Sequence, residues 1–160
     1  MKKRLPAILL VSVVCACTGL NDAAIDLGCG FHSSALHSPW GDNDNTTRFS
    51  SHNTSDRFFF SFDVEDSTVL YADTVTNETG ICDEDRVEIY FCQDKDLKKA
   101  YFCAEIDPLG RIMDYKAEYC RKFDYGWSFS TLEVNAGITS WGYRVNGSIS
   151  LDELRSLGID

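Results

Sequence analysis

Between residues 58 and 149 the chain repeatedly alternates apolar and polar side chains, and this period of two limits the fold more than any other feature. In FFFSFDV, Phe58, Phe60, Phe62 and Val64 fall on one side, with Ser61 and Asp63 on the other. In RVEIYF, Val87, Ile89 and Phe91 oppose Glu88 and Tyr90. RIMDYKAEY sets Met113, Tyr115, Ala117 and Tyr119 against Asp114, Lys116 and Glu118. WGYRVNGSI sets Trp141, Tyr143, Val145 and Ile149 against Arg144, Asn146 and Ser148. Strands buried on one face produce such alternation, and a helix does not. The clusters EDST, NETG, DKD, DPLG, DYG and NAG separate the runs as turns. Many short strands at this spacing predict an all-β fold, an antiparallel β-sandwich of jelly-roll or immunoglobulin-like kind. The series that begin with Phe58, Val87, Met113 and Trp141 are the expected core faces.

One helix is expected, at the C-terminus. In SLDELRSLG, Ser150 can cap, and Glu153 three residues on can reach back to complete a capping box. Leu151, Leu154 and Leu157 line one side, and Gly158 suits a left-handed end. A chain of 160 residues holds one such domain with a real core and is too short for two comfortable ones.

The N-terminus has the pattern of an export signal. Lys2, Lys3 and Arg4 precede an apolar run from Leu5 to Val14 that is too short to span a bilayer. Its end, VCAC, resembles a bacterial lipoprotein signal, with residues 1–16 removed and Cys17 lipidated; ordinary secretion with cleavage nearby is the alternative. Residues 17–45 are expected to be a tether and entry loop, and residues 46–160 the sandwich. The formal net charge is −10, and removing residues 1–16, which carry three basic and no acidic residues, makes it −13. That sign argues against nucleic acid, and the only membrane contact expected is the lipid anchor. Five cysteines would remain: Cys29, Cys82, Cys92, Cys103 and Cys120. Five is odd, so at least one stays unpaired. A Cys92–Cys103 bridge and plain burial of both are equally open. No C-x-x-C spacing occurs, and His32, His37 and His52 do not flank the cysteines as zinc ligands would.

The order DEDRVEIYF, YFCAEIDPLGRIMDYKA, a Trp-bearing strand and WGYRVNGSISLDEL resembles carbohydrate-binding module family 9, within the wider DOMON-like group of sandwiches. The likeness covers roughly residues 58 to 158. It departs from the family at Asn146, where Glu is usual, and at Ser150, where Pro is usual. Family members usually continue past this helix into a strand and loop that supply binding groups, whereas this chain ends at Asp160. The resemblance implies non-catalytic binding of a polysaccharide or oligosaccharide at a cell surface or in the periplasm. It also implies an association with glycoside hydrolases in polysaccharide breakdown. The alternative is a structural or protein-interaction lipoprotein that keeps the sandwich without the sugar site.

Sugar binding needs aromatic rings for the C–H faces and charged or amide groups for the hydroxyls. Arg121, Lys122, Tyr125 and Trp127 crowd one loop end and form the first candidate patch, with Trp40 as a facing ring. Glu88 belongs to the family signature; it is exposed, paired with a neighbouring-strand Lys or Arg, or part of the site. Calcium, which often accompanies the family, is a possible ligand at DEDR, although the D-x-D-x-D-G spacing is lacking. Against these readings, Trp127 could pack at a strand start, Trp40 could seal the sandwich end, and Arg121 and Lys122 could be a solvated edge. Trp141 is expected in the core with Tyr143 and Val145. No G-x-S-x-G, H-E-x-x-H or P-loop motif is present, so catalysis by this chain is not expected. Met113 and His52, in a turn-like setting, are the only pair to weigh for DOMON-type haem ligation.

Overall fold

A computed structural model describes residues 8–12, 32–36, 46–74, 77–94, 98–118 and 122–159. Its strands are β1 (Ile8–Ser12), β2 (His32–Leu36), β3 (Thr47–Asn53), β4 (Arg57–Glu65), β5 (Arg86–Cys92), β6 (Tyr101–Ile106), β7 (Ile112–Glu118), β8 (Lys122–Asp124), β9 (Glu133–Thr139) and β10 (Gly142–Ser150). A 3-10 turn spans Glu78–Asp83, and the helix α1 spans Leu151–Ser156. One sheet, A, has the order β1-β5-β6-β7-β8; the other, B, has the order β2-β3-β4-β10-β9. Every pairing is antiparallel except that of β1 with β5. The fold is therefore the expected all-β sandwich with one short C-terminal helix. β1 lies within the stretch expected as a leader, and β2 within the expected tether.

The alternation explains the core between the sheets. Sheet B contributes Phe49, Phe58, Phe60, Phe62, Val64, Tyr143, Val145 and Ile149; sheet A contributes Val87, Ile89, Phe91, Phe102, Ala104 and Ile106. Phe58 meets Phe91 edge-on across the gap, with ring centroids 6.0 Å apart. Ser61 and Asp63 take the other side of β4, as period two requires.

β7 differs from expectation. Its partners across β6 place Ile112 against Ile106, Asp114 against Ala104 and Lys116 against Phe102, so these three take the inner side. The Asp114 carboxylate lies buried there and accepts the Phe129 amide at 2.8 Å. Met113, Tyr115 and Ala117 are buried on the opposite, outer face of sheet A, together with Cys103 and Ile81. Both series of this strand are covered, so alternation alone could not say which faced the core.

Three smaller corrections have similar causes. NAG is not a turn; Asn135 to Gly137 lie inside β9, paired along β10. His52 is not in a turn but in β3, stacked on Phe59 with centroids 4.9 Å apart. Trp141 is not core; it sits in the β9–β10 turn, 39% exposed, with the Arg144 guanidinium 5.8 Å from its ring centre.

Helix α1 starts and stops much as the residues demand. Ser150 Oγ accepts the Asp152 amide at 3.2 Å. Gly158 has φ +75°, its amide bonds the Arg155 carbonyl, and the Ile159 amide bonds the Leu154 carbonyl, which is the Schellman ending. Glu153 does not close the capping box. It accepts from the amides and hydroxyls of Ser130 and Thr131, fastening the helix to the strand-free segment before β9. Burial pushes its carboxyl up, but those four donors outweigh it and hold the group below its ordinary range.

Gly147 shows how tightly the sheets are fitted. It faces Phe60 in register, and a Cβ there would lie 2.1 Å from Phe60 Cζ. The ring occupies the space a side chain would need, and it cannot retreat because it is itself in the core. Gly147→Ala is expected to lower stability by about 1–3 kcal/mol, measured by urea unfolding. A loss under about 0.5 kcal/mol would show that the ring moves freely.

Candidate binding face

The outer face of sheet A collects the side chains that alternate away from the core on β5, β6 and β7, and it is organised around Arg86. The Arg86 Nε donates to Glu105 Oε2, and its Nη2 lies 3.3 Å from Glu88 Oε1. Its Nη1 donates to the carbonyls of Cys82 at 2.8 Å and Glu84 at 3.4 Å. Glu88 and Glu105 are directly opposed in the β5–β6 register, so one guanidinium spans two neighbouring strands and the turn that precedes them. The remaining carboxylate oxygens are also taken. Tyr90 donates to Glu88 Oε2 at 2.6 Å, and Tyr115 to Glu105 Oε1 at 3.1 Å.

All three charged groups are at most 6% exposed, which makes their mutual pairing obligatory. Burial pushes the Glu88 carboxyl up, and Glu105 beside it adds to this, against the pull of Tyr90 and Arg86. Burial alone would lower the Arg86 guanidinium, but Glu105 and Glu88 outweigh it and raise it. Tyr90 and Tyr115 are both raised far above ordinary phenols, mainly by burial. These hydroxyls therefore stay protonated and serve as donors.

Rings border the network. Phe123 on β8 pairs with Ala117 and so shares this outer face. Its ring stacks on Tyr125 at 5.5 Å between centroids, and both rings stand edge-on to Tyr115. Phe123 is 39% exposed and Tyr125 50%. On the far side Tyr90 and Tyr101, both half-buried, lie 6.0 Å apart. The face thus has exposed flat rings at its β8 margin beside a buried, fixed array of carboxylates and one guanidinium.

The expected site is divided by this geometry. Glu88 and Tyr125 lie on this face, but Glu88 is buried rather than exposed, and its guanidinium partner is on its own strand rather than the neighbouring one. Trp127 is turned elsewhere: its ring packs on Phe102 at 4.9 Å and on Phe129 at 4.7 Å, half-buried at the margin of the inner core. Tyr125 and Trp127 therefore serve opposite sides of sheet A and do not form one patch. Lys122 pairs with Glu118 and, by alternation, takes the face opposite Phe123. Trp40, Arg121 and Cys17 lie outside the described residues, as do Cys29 and Cys120. Arg86, Tyr90, Glu105, Tyr115 and Phe123 were missed. The signal was the polar series left over when Val87, Ile89, Phe91, Phe102 and Ala104 are assigned to the core.

Other expected chemistries are not assembled. Cys103 is a buried free thiol, so it forms no bridge with Cys92; burial drives it well above the ordinary range. Met113, 3.8 Å from the Cys82 sulfur, and His52 lie on the outer faces of different sheets and cannot flank one haem. Within DEDR, Glu84 is engaged by Arg111 and Asp85 by the Leu70 amide. Among the described residues no group of three His, Cys, Asp or Glu is placed to hold a metal ion.

No protein-family model and no curated protein matches the chain. Among solved structures it is similar to two family 9 carbohydrate-binding modules from Caldicellulosiruptor kristjanssonii, the family to which its motif order is similar. One, in complex with cellotriose, is 16% identical over 70% of this chain, with a TM-score of 0.48. The other, in complex with glucose, is 15% identical over 87% of this chain, with a TM-score of 0.49. The chain spans about half the length of the first, 52%, and 68% of the second.

Removing the hub leaves two buried carboxylates uncompensated. Arg86→Ala is expected to cost about 3–5 kcal/mol in urea unfolding at pH 7. A cost below about 1 kcal/mol would mean that the network does not organise the face.

Proposed function

We propose that the outer face of sheet A binds a polysaccharide or oligosaccharide without cleaving it. The observation that carries this reading is the stacked, exposed pair Phe123–Tyr125 beside the Arg86–Glu88–Glu105 array. A sugar lays its C–H face on such rings, and the buried array beside them holds Tyr115, against which both rings stand edge-on. Catalysis is disfavoured by the same array. Glu88 and Glu105 are bridged by one guanidinium and capped by tyrosines, whereas glycoside hydrolysis sets two carboxylates across a cleft. The motif order, with its likeness to family 9 modules, adds to this reading. The protein so understood is exported and lipid-anchored through Cys17 to a bacterial membrane or cell surface, or else periplasmic or secreted. There it serves polysaccharide breakdown by holding substrate near glycoside hydrolases.

A second reading has an observation of its own. Every oxygen of Glu88 and Glu105 is already engaged inside the protein, as a purely structural network requires. In that case the sandwich is a structural or protein-interaction lipoprotein.

Calorimetric titration separates the two. The two similar structures hold cellotriose and glucose, so cello-oligosaccharides are the first ligands, followed by xylan and mannan oligosaccharides, each with and without calcium. Saturable binding that weakens about tenfold or more in Tyr125→Ala and in Phe123→Ala, with Trp127→Ala unchanged in affinity, is expected. No heat with any of these ligands from the folded protein favours the second reading.

A further inference from the structure

Between the turn before β5 and the β6–β7 hairpin, two buried carboxylates share one cation. Glu84, which follows the 3-10 turn, is 4% exposed, and Asp107, at the start of the β6–β7 hairpin turn, is 0% exposed. Arg111 joins them: its Nη2 lies 2.5 Å from Glu84 Oε2, and its Nε donates to Asp107 Oδ2. Asp107 Oδ1 also accepts the amides of Leu109 at 2.9 Å and Arg111 at 2.8 Å. Glu84 Oε1 is different. It is buried with no hydrogen-bond partner, although a buried carboxylate oxygen left unpaired is costly.

A proton resolves this. On Glu84 it turns the orphan oxygen into a donor, and Asp107 can receive it, since a carboxylate has about four acceptor positions and three are occupied. We propose that the folded protein holds Glu84 as the neutral acid in mildly acidic conditions, sharing its proton with Asp107, and that this proton fastens the 78–85 turn to the β6–β7 hairpin. Without it, two adjacent carboxylates face one guanidinium. The charges around Glu84 agree. Burial is the largest influence and pushes its carboxyl up; the Ala72 amide and Arg111 pull it down, and Asp107 pushes it up again. Asp83 and Asp85 flank it in sequence, and Arg86 on β5 bonds its carbonyl rather than its carboxyl. On β10, the buried Tyr143 is raised by burial first, then by Asp85 and Asp66, with Asp107 adding to this against Arg86.

The consequence reaches the candidate face. The Glu84 carbonyl is one of two that hold Arg86, so release of the turn loosens the guanidinium that ties Glu88 to Glu105. This holds whether or not the face binds sugar, and its test uses no ligand.

The sign follows from the raised carboxyl. Stability from the Glu84 proton is fully present below the ordinary value of 4.5 and is lost as pH rises through the folded value. The melting temperature of the protein, followed from pH 4.5 to 7.5, is expected to fall relative to that of Glu84→Gln by about 4 °C or more. The amide supplies a permanent donor, and Glu88 is common to both proteins. Carboxyl 13C NMR of the unaltered protein should show Glu84 titrating above 4.5. Parallel melting profiles, or a Glu84 midpoint at or below 4.5, would overturn the proposal. If Glu84→Gln fails to fold, the NMR titration decides alone.

Discussion

The Arg86 guanidinium is the interaction on which the outer half of the molecule depends. On the antiparallel strands β5, β6 and β7 of sheet A both faces are buried, one in the core and one in a layer of ion pairs, phenols and the Ile81–Cys103–Met113 cluster. Carboxylates can be buried there only because one cation satisfies both Glu88 and Glu105 while two tyrosines fill the remaining acceptor positions. The same guanidinium takes two carbonyls of the preceding turn. Lysine could not do this, since the task needs a planar fork addressing several acceptors at once.

That arrangement bears on function in two ways. It fixes Tyr115, against which Phe123 and Tyr125 stand edge-on, so a ligand on those rings would cause little reordering, which favours affinity. It also leaves the polar groups fully engaged, so much of the gain from a bound sugar would come from the rings at the β8 margin. Phe123 and Tyr125 are exposed, whereas Val87, Ile89, Phe91, Phe102, Ile106 and Met113 of sheet A are buried. The acid pair Glu84–Asp107 joins the turn before β5 to the β6–β7 hairpin and couples it to this array through Arg86 and Arg111.

Much of the fold was legible in the residues. Phe58 to Val64 and Tyr143 to Ile149 are readable because one series of each strand meets the core, while Ser61, Asp63, Arg144 and Asn146 take the outer side. Ser150 and Gly158 mark the helix by local chemistry that tertiary contacts do not override. β7 was misread because Met113, Tyr115 and Ala117 are apolar and buried, yet on the wrong side; period two reports that faces differ, not which face is inner. Trp141 was misplaced because alternation was carried one residue beyond the strand into its turn. The site was harder still. Tyr125 and Trp127 are two residues apart and look like one patch, but Asp124 and Tyr125 begin a turn, and the chain then carries Trp127 to the core margin. Glu88 was found without its partner because Arg86, two residues before it, was not recognised as sharing its face. Glu105 and Phe123 become visible only when strand register is known.

The central claim is that sugar rests on the outer face of sheet A at its β8 margin. Amide chemical-shift mapping of the 15N-labelled protein with a cello-oligosaccharide tests it most directly. The account predicts saturable shifts concentrated at Phe123, Tyr125, Tyr115 and the neighbouring residues of β6 and β7, with sheet B unmoved. Shifts confined to sheet B or to the sandwich ends, or none at millimolar ligand, would contradict it.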